Sequence, residues 1–439
     1  MKKSLIYLLL SVFIFAFSSC EDDDNVQQTY TVGIQLVYPD GAVPSEGVEV
    51  TLYNNSNNAT YETVTNDDGL AQFTVIAGVY EASSSEKRYT DGIAKVYNGL
   101  KSAITVTPQW DNSSSVQMDL TASFTSQIII KELYCGGCPK DNGSGAFARD
   151  QYVILYNNSD APASLDKLCL AMALPYNANS QSNHDYVNGV LSYESEGWVP
   201  AGTGIWYFQG SVSLQPGEQI VIAMTNALDN TQLYSQSINF NKQEYYCLYD
   251  IESYPNTTYY PAPASSIPSS HYLKASHYGT GNAWPMSQVS PAFFIFIPQD
   301  GVTLESFVAD ATKTSYYNNS TSQVRKKVPV EWVIDAIEVF KSDATNNRKR
   351  LSTAVDAGFV NLTNQLGHTL YRNVDKEATE AIEGNKEKLV YGYNSGLETT
   401  DASTIDAEAS IRNGARIVYK DTNSSSNDFH ERGKSSLRD

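Results

Sequence analysis

From Tyr30 onward the chain alternates apolar with polar or small residues. Tyr30, Val32, Ile34 and Leu36 share one parity, and the same period of two returns at Val48, Val50 and Leu52 and again at Ala71, Phe73 and Val75. That spacing suits a strand burying one face, whereas a helix repeats its apolar residues about every 3.6 positions. Turn formers separate the runs at Pro39-Asp40-Gly41, Asn54-Asn55-Ser56-Asn57-Asn58 and Asn66-Asp67-Asp68-Gly69. Short strands at this spacing predict a small β-sandwich over residues 30–121. Further along, Ile128-Ile129-Ile130-Lys131-Glu132-Leu133 reads as a buried strand, and Tyr152-Val153-Ile154-Leu155-Tyr156-Asn157 as another that ends in a turn. Residues 165–172 read as a third, and Leu214-Gln215-Pro216-Gly217 as a turn into a fourth at Ile220-Val221-Ile222-Ala223. Thirty tyrosines beside many Asn, Ser and Thr fit strands joined by polar loops. The expected class is all-β: a small N-terminal sandwich and a larger sandwich with long loop insertions over 125–420.

The N-terminus supplies an address. Lys2 and Lys3 precede an apolar run over 5–17, a signal sequence by charge and length. The run is shorter than the roughly 20 residues that a membrane-spanning helix needs. Phe17-Ser18-Ser19-Cys20 resembles a lipobox, which implies a signal peptide over 1–19, acylation of Cys20 and a tether over 20–29. Several acyl chains anchor stably, at about 0.8 kcal/mol per buried methylene. The following Glu21-Asp22-Asp23-Asp24 resembles the export signal that places some Gram-negative lipoproteins on the outer face of the outer membrane. A solvated acidic tether is the alternative.

Charge narrows the partners. There are 30 Lys+Arg against 49 Asp+Glu, a net −19 that becomes more negative when the signal removes its two lysines. Nucleic-acid binding requires a basic footprint, and none is present.

Beyond Cys20 stand Cys135, Cys138, Cys169 and Cys247. An even number in an oxidising compartment predicts two disulfides, with spacing that favours Cys135–Cys138 and Cys169–Cys247 among three possible pairings. A redox-active Cys-x-x-Cys would want a helix start beside it, but a loop-like Lys140-Asp141-Asn142-Gly143-Ser144-Gly145 follows. A four-thiolate zinc site would show a second close pair, and Cys169 and Cys247 stand alone.

Two resemblances refine the sandwiches. Gly47-Val48-Glu49-Val50-Thr51-Leu52-Tyr53, Thr65-Asn66-Asp67-Asp68-Gly69-Leu70-Ala71-Gln72-Phe73 and Gly78-Val79-Tyr80 resemble the carboxypeptidase regulatory-like (transthyretin-related, prealbumin/immunoglobulin-like) module. This implies a seven-stranded spacer or binding sandwich over 30–121. The series from Ile128 through Tyr156-Asn157-Asn158-Ser159-Asp160 to Leu214-Gln215-Pro216-Gly217 resembles the lamin-tail domain, an immunoglobulin-type sandwich. Ile154 replaces that family's usual acid and Lys167-Leu168 its Gly-Trp, so a fold is implied and no site. The match resumes at Ala292-Phe293-Phe294-Ile295-Phe296-Ile297.

Between these parts lies an aromatic insertion, residues 231–290, interrupted by Pro255, Pro261, Pro263 and Pro268. A loop this long in a compact domain is functional or disordered, and its aromatic content argues against disorder. Tyr245, Tyr246, Tyr249, Tyr259, Tyr260, Tyr272, Tyr278 and Trp284 are candidate ligand contacts, since flat rings with a polar handle suit sugars or peptides. The alternative is that they pack on one another. His271-Tyr272 and His277-Tyr278 repeat a pair whose imidazole and phenol are iron and haem ligands, a candidate metal site. The plainer reading is polar loop residues, and no cofactor is expected.

Farther on, residues 328–340 fit a helix or a strand equally. Asn346-Asn347-Arg348-Lys349-Arg350 reads as a solvated turn, 416–420 as a last strand and 421–439 as a polar tail. The segment Asp421-Thr422-Asn423-Ser424-Ser425-Ser426-Asn427-Asp428-Phe429 and the whole layout resemble a family of uncharacterised surface lipoproteins. Its members are typically encoded near TonB-dependent receptors. There is no Gly-x-Ser-x-Gly, no His-Glu-x-x-His and no glycine-rich phosphate loop, and no acid pair stands at a telling spacing. The expectation is a non-enzymatic lipoprotein that captures or presents a ligand for such a receptor. An adhesin or structural surface protein is the runner-up, and a cryptic hydrolase the third reading.

Overall fold

The computed structural model describes residues 28–57, 59–90, 93–125, 127–179, 184–299, 301–344 and 346–438. The candidate signal peptide, the acylation site Cys20 and the export run Glu21, Asp22, Asp23 and Asp24 lie outside the described residues. Period-two alternation is realised in seven strands: β1 (Thr29–Val37), β2 (Glu49–Asn54), β3 (Thr60–Val64), β4 (Leu70–Ile76), β5 (Gly78–Thr90), β6 (Ile93–Val106) and β7 (Ser115–Thr125). They hydrogen-bond in the order β3-β2-β5-β6-β7-β1-β4. Val32, Ile34, Val50, Leu52, Phe73 and Val75 meet in one core, the parity read from the sequence.

The remaining chain builds a twelve-stranded sheet. Its strands are β8 (Ile128–Tyr134), β9 (Tyr152–Asn157), β10 (Cys169–Met172), β11 (Gly204–Tyr207), β12 (Gln219–Ala223), β13 (Tyr246–Leu248), β14 (Tyr272–His277), β15 (Ala292–Phe296), β16 (Val333–Lys341), β17 (Val360–Leu362), β18 (Thr369–Arg372) and β19 (Phe429–Arg432). The order is β17-β16-β15-β10-β11-β14-β13-β12-β9-β8-β18-β19. The sheet curves so that β16 comes back against β8, and the enclosed face carries Ile130, Leu155, Leu170, Trp206, Ile222 and Phe293 as the main core. Among the described residues the molecule is all-β, with helices limited to short turns.

The return of β16 to β8 is held by buried charge. β8 bulges at Lys131, where Ile154 of β9 faces Glu132 and Leu155 faces Ile130. The peptide of Ile130 is thereby turned toward β16 and β18. Its N–H donates to Asp335 Oδ2 at 2.6 Å, and its carbonyl accepts from Arg372 Nε at 2.7 Å. Arg372 also donates to Asp335 and to the Lys420 carbonyl, the latter at 2.9 Å, and lies 3.5 Å from Asp421. Arg372 and Asp335 are 0 % and 3 % exposed. Burial pushes the Asp335 carboxyl upward, and the guanidinium opposes that. Burial would lower Arg372, but the Asp335, Asp421 and Asp428 carboxylates outweigh it, raise Arg372 and keep it charged. A second buried pair lies farther along β16: Arg350 bonds Glu338 Oε1 through Nε at 2.9 Å and Nη2 at 2.6 Å, while the Arg350 and Leu351 amides bond Oε2.

Several expectations change. Arg350, the last residue of the basic run, is fully buried while Asn346 and Arg348 stay exposed; a carboxylate partner on β16 that sequence spacing does not reveal draws Arg350 inward. Residues 421–438 form no tail. Asp421, Ser425, Asp428, His430 and Ser435 are buried, and β19 pairs with β18. Over 328–340 the chain is strand (Val324–Pro329 and β16) broken by a 3-10 turn at Val330–Trp332. Residues 416–420 hold no strand, only a bridge from Val374 to Tyr419.

The cysteines also depart from expectation. Cys135, Cys138, Cys169 and Cys247 are free thiols, all buried. Cys169 on β10 and Cys247 on β13 are separated by β11 and β14. Three spacings of about 4.8 Å far exceed the roughly 7 Å Cα limit for a bridge. They belong to different cores, where each packs as a small apolar side chain. Cys138 sits beside Asp150; burial and that carboxylate push its thiol up to about 12.

Two outcomes follow. Arg372→Met should lower stability by about 3–5 kcal/mol, because it leaves Asp335 buried and uncompensated; denaturant unfolding measures it, and a cost under about 1 kcal/mol would remove the seam's role. A thiol reagent should titrate the four cysteines only after denaturation. Fewer than four in denaturant would restore a disulfide.

Candidate functional site

Side chains alternate across β14: Leu273 and Ala275 enter the main core, while Tyr272, Lys274 and Ser276 face outward. On the neighbouring β11, Trp206 points in and Tyr207 out. Two layers cover the outer face of the sheet. One packs Phe307 of helix α1 (Leu304–Ala309) and Trp332 over Cys169, Ile205 and Phe294. The other lays Ala227, Ile238, Phe240, Ala264 and Ile267 over Tyr152, Ile154, Val221 and Cys247. Between the layers Tyr207 of β11 and Tyr272, Lys274 and Ser276 of β14 stay half-exposed.

A cleft of about 430 Å³ opens there, lined by Gln209, Tyr249, Asp250, Glu252, Tyr272 and Lys274, among others. The Tyr249 and Tyr272 rings meet edge to face at 5.3 Å. Asp250 Oδ2 accepts from the Ala275 amide and the Ser253 hydroxyl, both at 3.1 Å, which fixes the carboxylate to β14. Its Oδ1 takes no hydrogen bond and faces Lys274 Nζ at 3.6 Å. Gln209 donates to the Tyr272 carbonyl. Burial holds the Tyr272 phenol above its ordinary range, so it acts as a neutral hydroxyl. Ile251, between the two acids, is half exposed. Rings, a fixed carboxylate, an ammonium and an amide can together stack on an apolar group and ion-pair or hydrogen-bond with its neighbours.

The other candidate residues are distributed differently. Tyr260 and Trp284 lie inside the barrel with Tyr254 and Trp206; the Trp206 and Tyr254 rings stack at 5.4 Å, and Tyr260 accepts from the Trp284 amide at 3.0 Å. Tyr259 packs against the same core. Tyr278 donates to the Ala201 carbonyl at 3.0 Å. Tyr245 borders the second outer layer, and Tyr246 lies flat on His271 at 4.0 Å. Self-packing therefore accounts for most of these rings, and only Tyr249 and Tyr272 reach the cleft.

His271 and His277 flank and end β14, about 20 Å apart at about 3.3 Å per residue. His271 Nδ1 lies 3.0 Å from the Tyr245 carbonyl, and His277 packs on the Tyr254 ring at 4.5 Å. The two do not converge. Among the described residues no three His, Cys, Asp or Glu side chains group to hold a metal.

Sequence reasoning passed over Gln209, Asp250, Glu252 and Lys274. A signal was present: Tyr272-Leu273-Lys274-Ala275-Ser276 alternates with period two inside the insertion, masked by the surrounding prolines. Those prolines end the irregular segment and do not interrupt β14.

Comparison with known proteins bears on the fold and on kinship. Curated proteins give no match. Among solved structures, a DUF4876 family protein from Bacteroides thetaiotaomicron is similar over 93% of this chain and 97% of that one, at 20% identity and a TM-score of 0.55. This is a likeness of fold. A DUF3823 family protein from Parabacteroides merdae matches over 42% and 79% of the two chains, at 14% identity and a TM-score of 0.14, too low to carry an argument. The family model described as "Protein of unknown function (DUF4876)" matches residues 215–436, half of the chain, spanning the insertion, all of the cleft residues but Gln209 and the buried C-terminal segment. The chain belongs to the DUF4876 family.

Proposed function

We propose that this protein is a lipid-anchored outer-membrane surface protein that captures a small ligand in the cleft beside β14 and presents it to a TonB-dependent receptor, without catalysis. The observation that carries the reading is the cleft itself, where the insertion sets two tyrosines beside an ion pair on a strip of sheet that both outer layers leave open. Tyr272 and Lys274 stand on β14, and a group on a strand is held more firmly than one on a loop. The strands here are part of a sheet buried on its other face.

The anchor rests on the lipobox-like Phe17-Ser18-Ser19-Cys20 and the acidic run after it. The receptor rests on the likeness to lipoproteins encoded near TonB-dependent receptors. The N-terminal sandwich would lift the cleft-bearing domain from the membrane; its Asn98 side chain donates to the Thr422 carbonyl at 2.8 Å, coupling the two.

The test is recovery of the native protein from detergent-solubilised outer membrane. A TonB-dependent receptor should co-purify with it, and Cys20→Ala should move the protein to the soluble fraction and lose the receptor. Repeated recovery without a receptor, or a Cys20→Ala protein that stays in the membrane, would overturn the reading.

A further inference from the structure

Next to the polar cleft is a second cavity of about 240 Å³ whose walls include Cys169, Tyr207, Ser276, Val302 and Leu304. The two share one strand face. Lys274 borders the cleft and Ser276, two residues on and pointing the same way, borders the cavity, about 7 Å along the strand. Tyr207 lies opposite Lys274 across the β11–β14 ladder and forms the partition. Its phenol is raised by burial and then by Glu305 on the cavity side and Asp250 on the cleft side, as a ring between both would be.

The halves differ in chemistry. The cavity's apolar wall is made by Val302, Leu304, Pro298, the Tyr207 ring and the Cys169 thiol, with Asp166, Lys167, Thr303 and Glu305 completing its lining; an apolar cavity of only about 150 Å³ can accept benzene. A phenyl or branched aliphatic group therefore fits. Acids dominate the surroundings: Asp166 and Glu305 at the cavity and Asp250 and Glu252 in the cleft, against Lys167 and Lys274. Lys274 is already engaged by Asp250. The remaining field favours a cation, in keeping with the acidic chain.

The geometry points to one bipartite site for a short peptide, with an aromatic or branched apolar side chain seated between Tyr207 and Leu304 and a basic side chain over the exposed Glu252 carboxylate. This inference rests on the cleft being a ligand site and names its ligand class.

Calorimetric titration of the full chain with three capped tripeptide amides tests it. The first is phenylalanyl-glycyl-lysine; the controls are alanyl-glycyl-lysine and phenylalanyl-glycyl-glutamate. The first should bind at least about tenfold more tightly than either control, about 1.4 kcal/mol. Glu252→Lys, at an exposed position, should erase the preference for lysine over glutamate. Ser276→Trp, which fills the cavity from β14, should erase the preference for phenylalanine over alanine. Equal affinity for the three peptides, or no saturable binding, overturns the inference in the wild-type protein, whatever the variants do. The receptor recovery experiment is independent: binding with these preferences but no receptor leaves the bipartite site standing and removes the presentation role. A recovered receptor with no peptide preference removes the bipartite site alone.

Discussion

The peptide group of Ile130 is gripped from both sides, its N–H by Asp335 and its carbonyl by Arg372. Every later feature depends on that grip. β18 pairs with β8 only at Leu133 and Glu132, so the first half of β8 is left as an edge of the ladder, and open edges expose unpaired donors and acceptors. Here β8 bulges where β16 arrives, so the ladder cannot continue by backbone alone, and side-chain charge completes it. Leaving either partner out would strand a buried ion, a far larger cost than an unmade surface pair. The C-terminal segment is drawn in for the same reason: Asp421, Asp428 and the Lys420 carbonyl are needed around Arg372.

Closure at that seam also explains the place of the insertion. With β16 held against β8 on one side, the opposite side is spanned by β13 and β14, both from the aromatic segment. β13 is parallel to each neighbour, an arrangement that requires long connections, and the irregular stretches between these strands provide them. Tyrosines that would otherwise be an exposed apolar surface fill the barrel and its second outer layer, and the few left outside line the cleft. Fold and candidate site are thus produced by one segment.

The strands of the N-terminal sandwich and of the barrel were legible because their burial is one-sided or their apolar runs short, and period and turn chemistry report both. The Ile128–Tyr134 strand and the alternation from Tyr30 are instances. What stayed hidden is long-range. Arg350 and Arg372 look like surface residues until Glu338 and Asp335 are placed opposite them. Residues 421–438 look like a solvated tail because their polar side chains are satisfied by partners distant in sequence, as when Ser425 meets Asp356. The cysteine spacing suggested bridges that the strand order keeps apart. Of the cleft, Tyr249 and Tyr272 could be read as candidates, but Asp250 and Lys274 gain meaning only when β14 is recognised as a strand.

The central claim is that the insertion is a wall of the barrel and that its cleft is therefore preorganised. Native-state hydrogen exchange at one amide tests this most directly. The Ala275 N–H donates to Asp250 at the cleft, as the Ile130 N–H donates to Asp335 at the seam. Without ligand, Ala275 should exchange as slowly as Ile130, both opening only with global unfolding. Exchange of Ala275 at the rate of an open loop, with Ile130 still protected, would contradict the account.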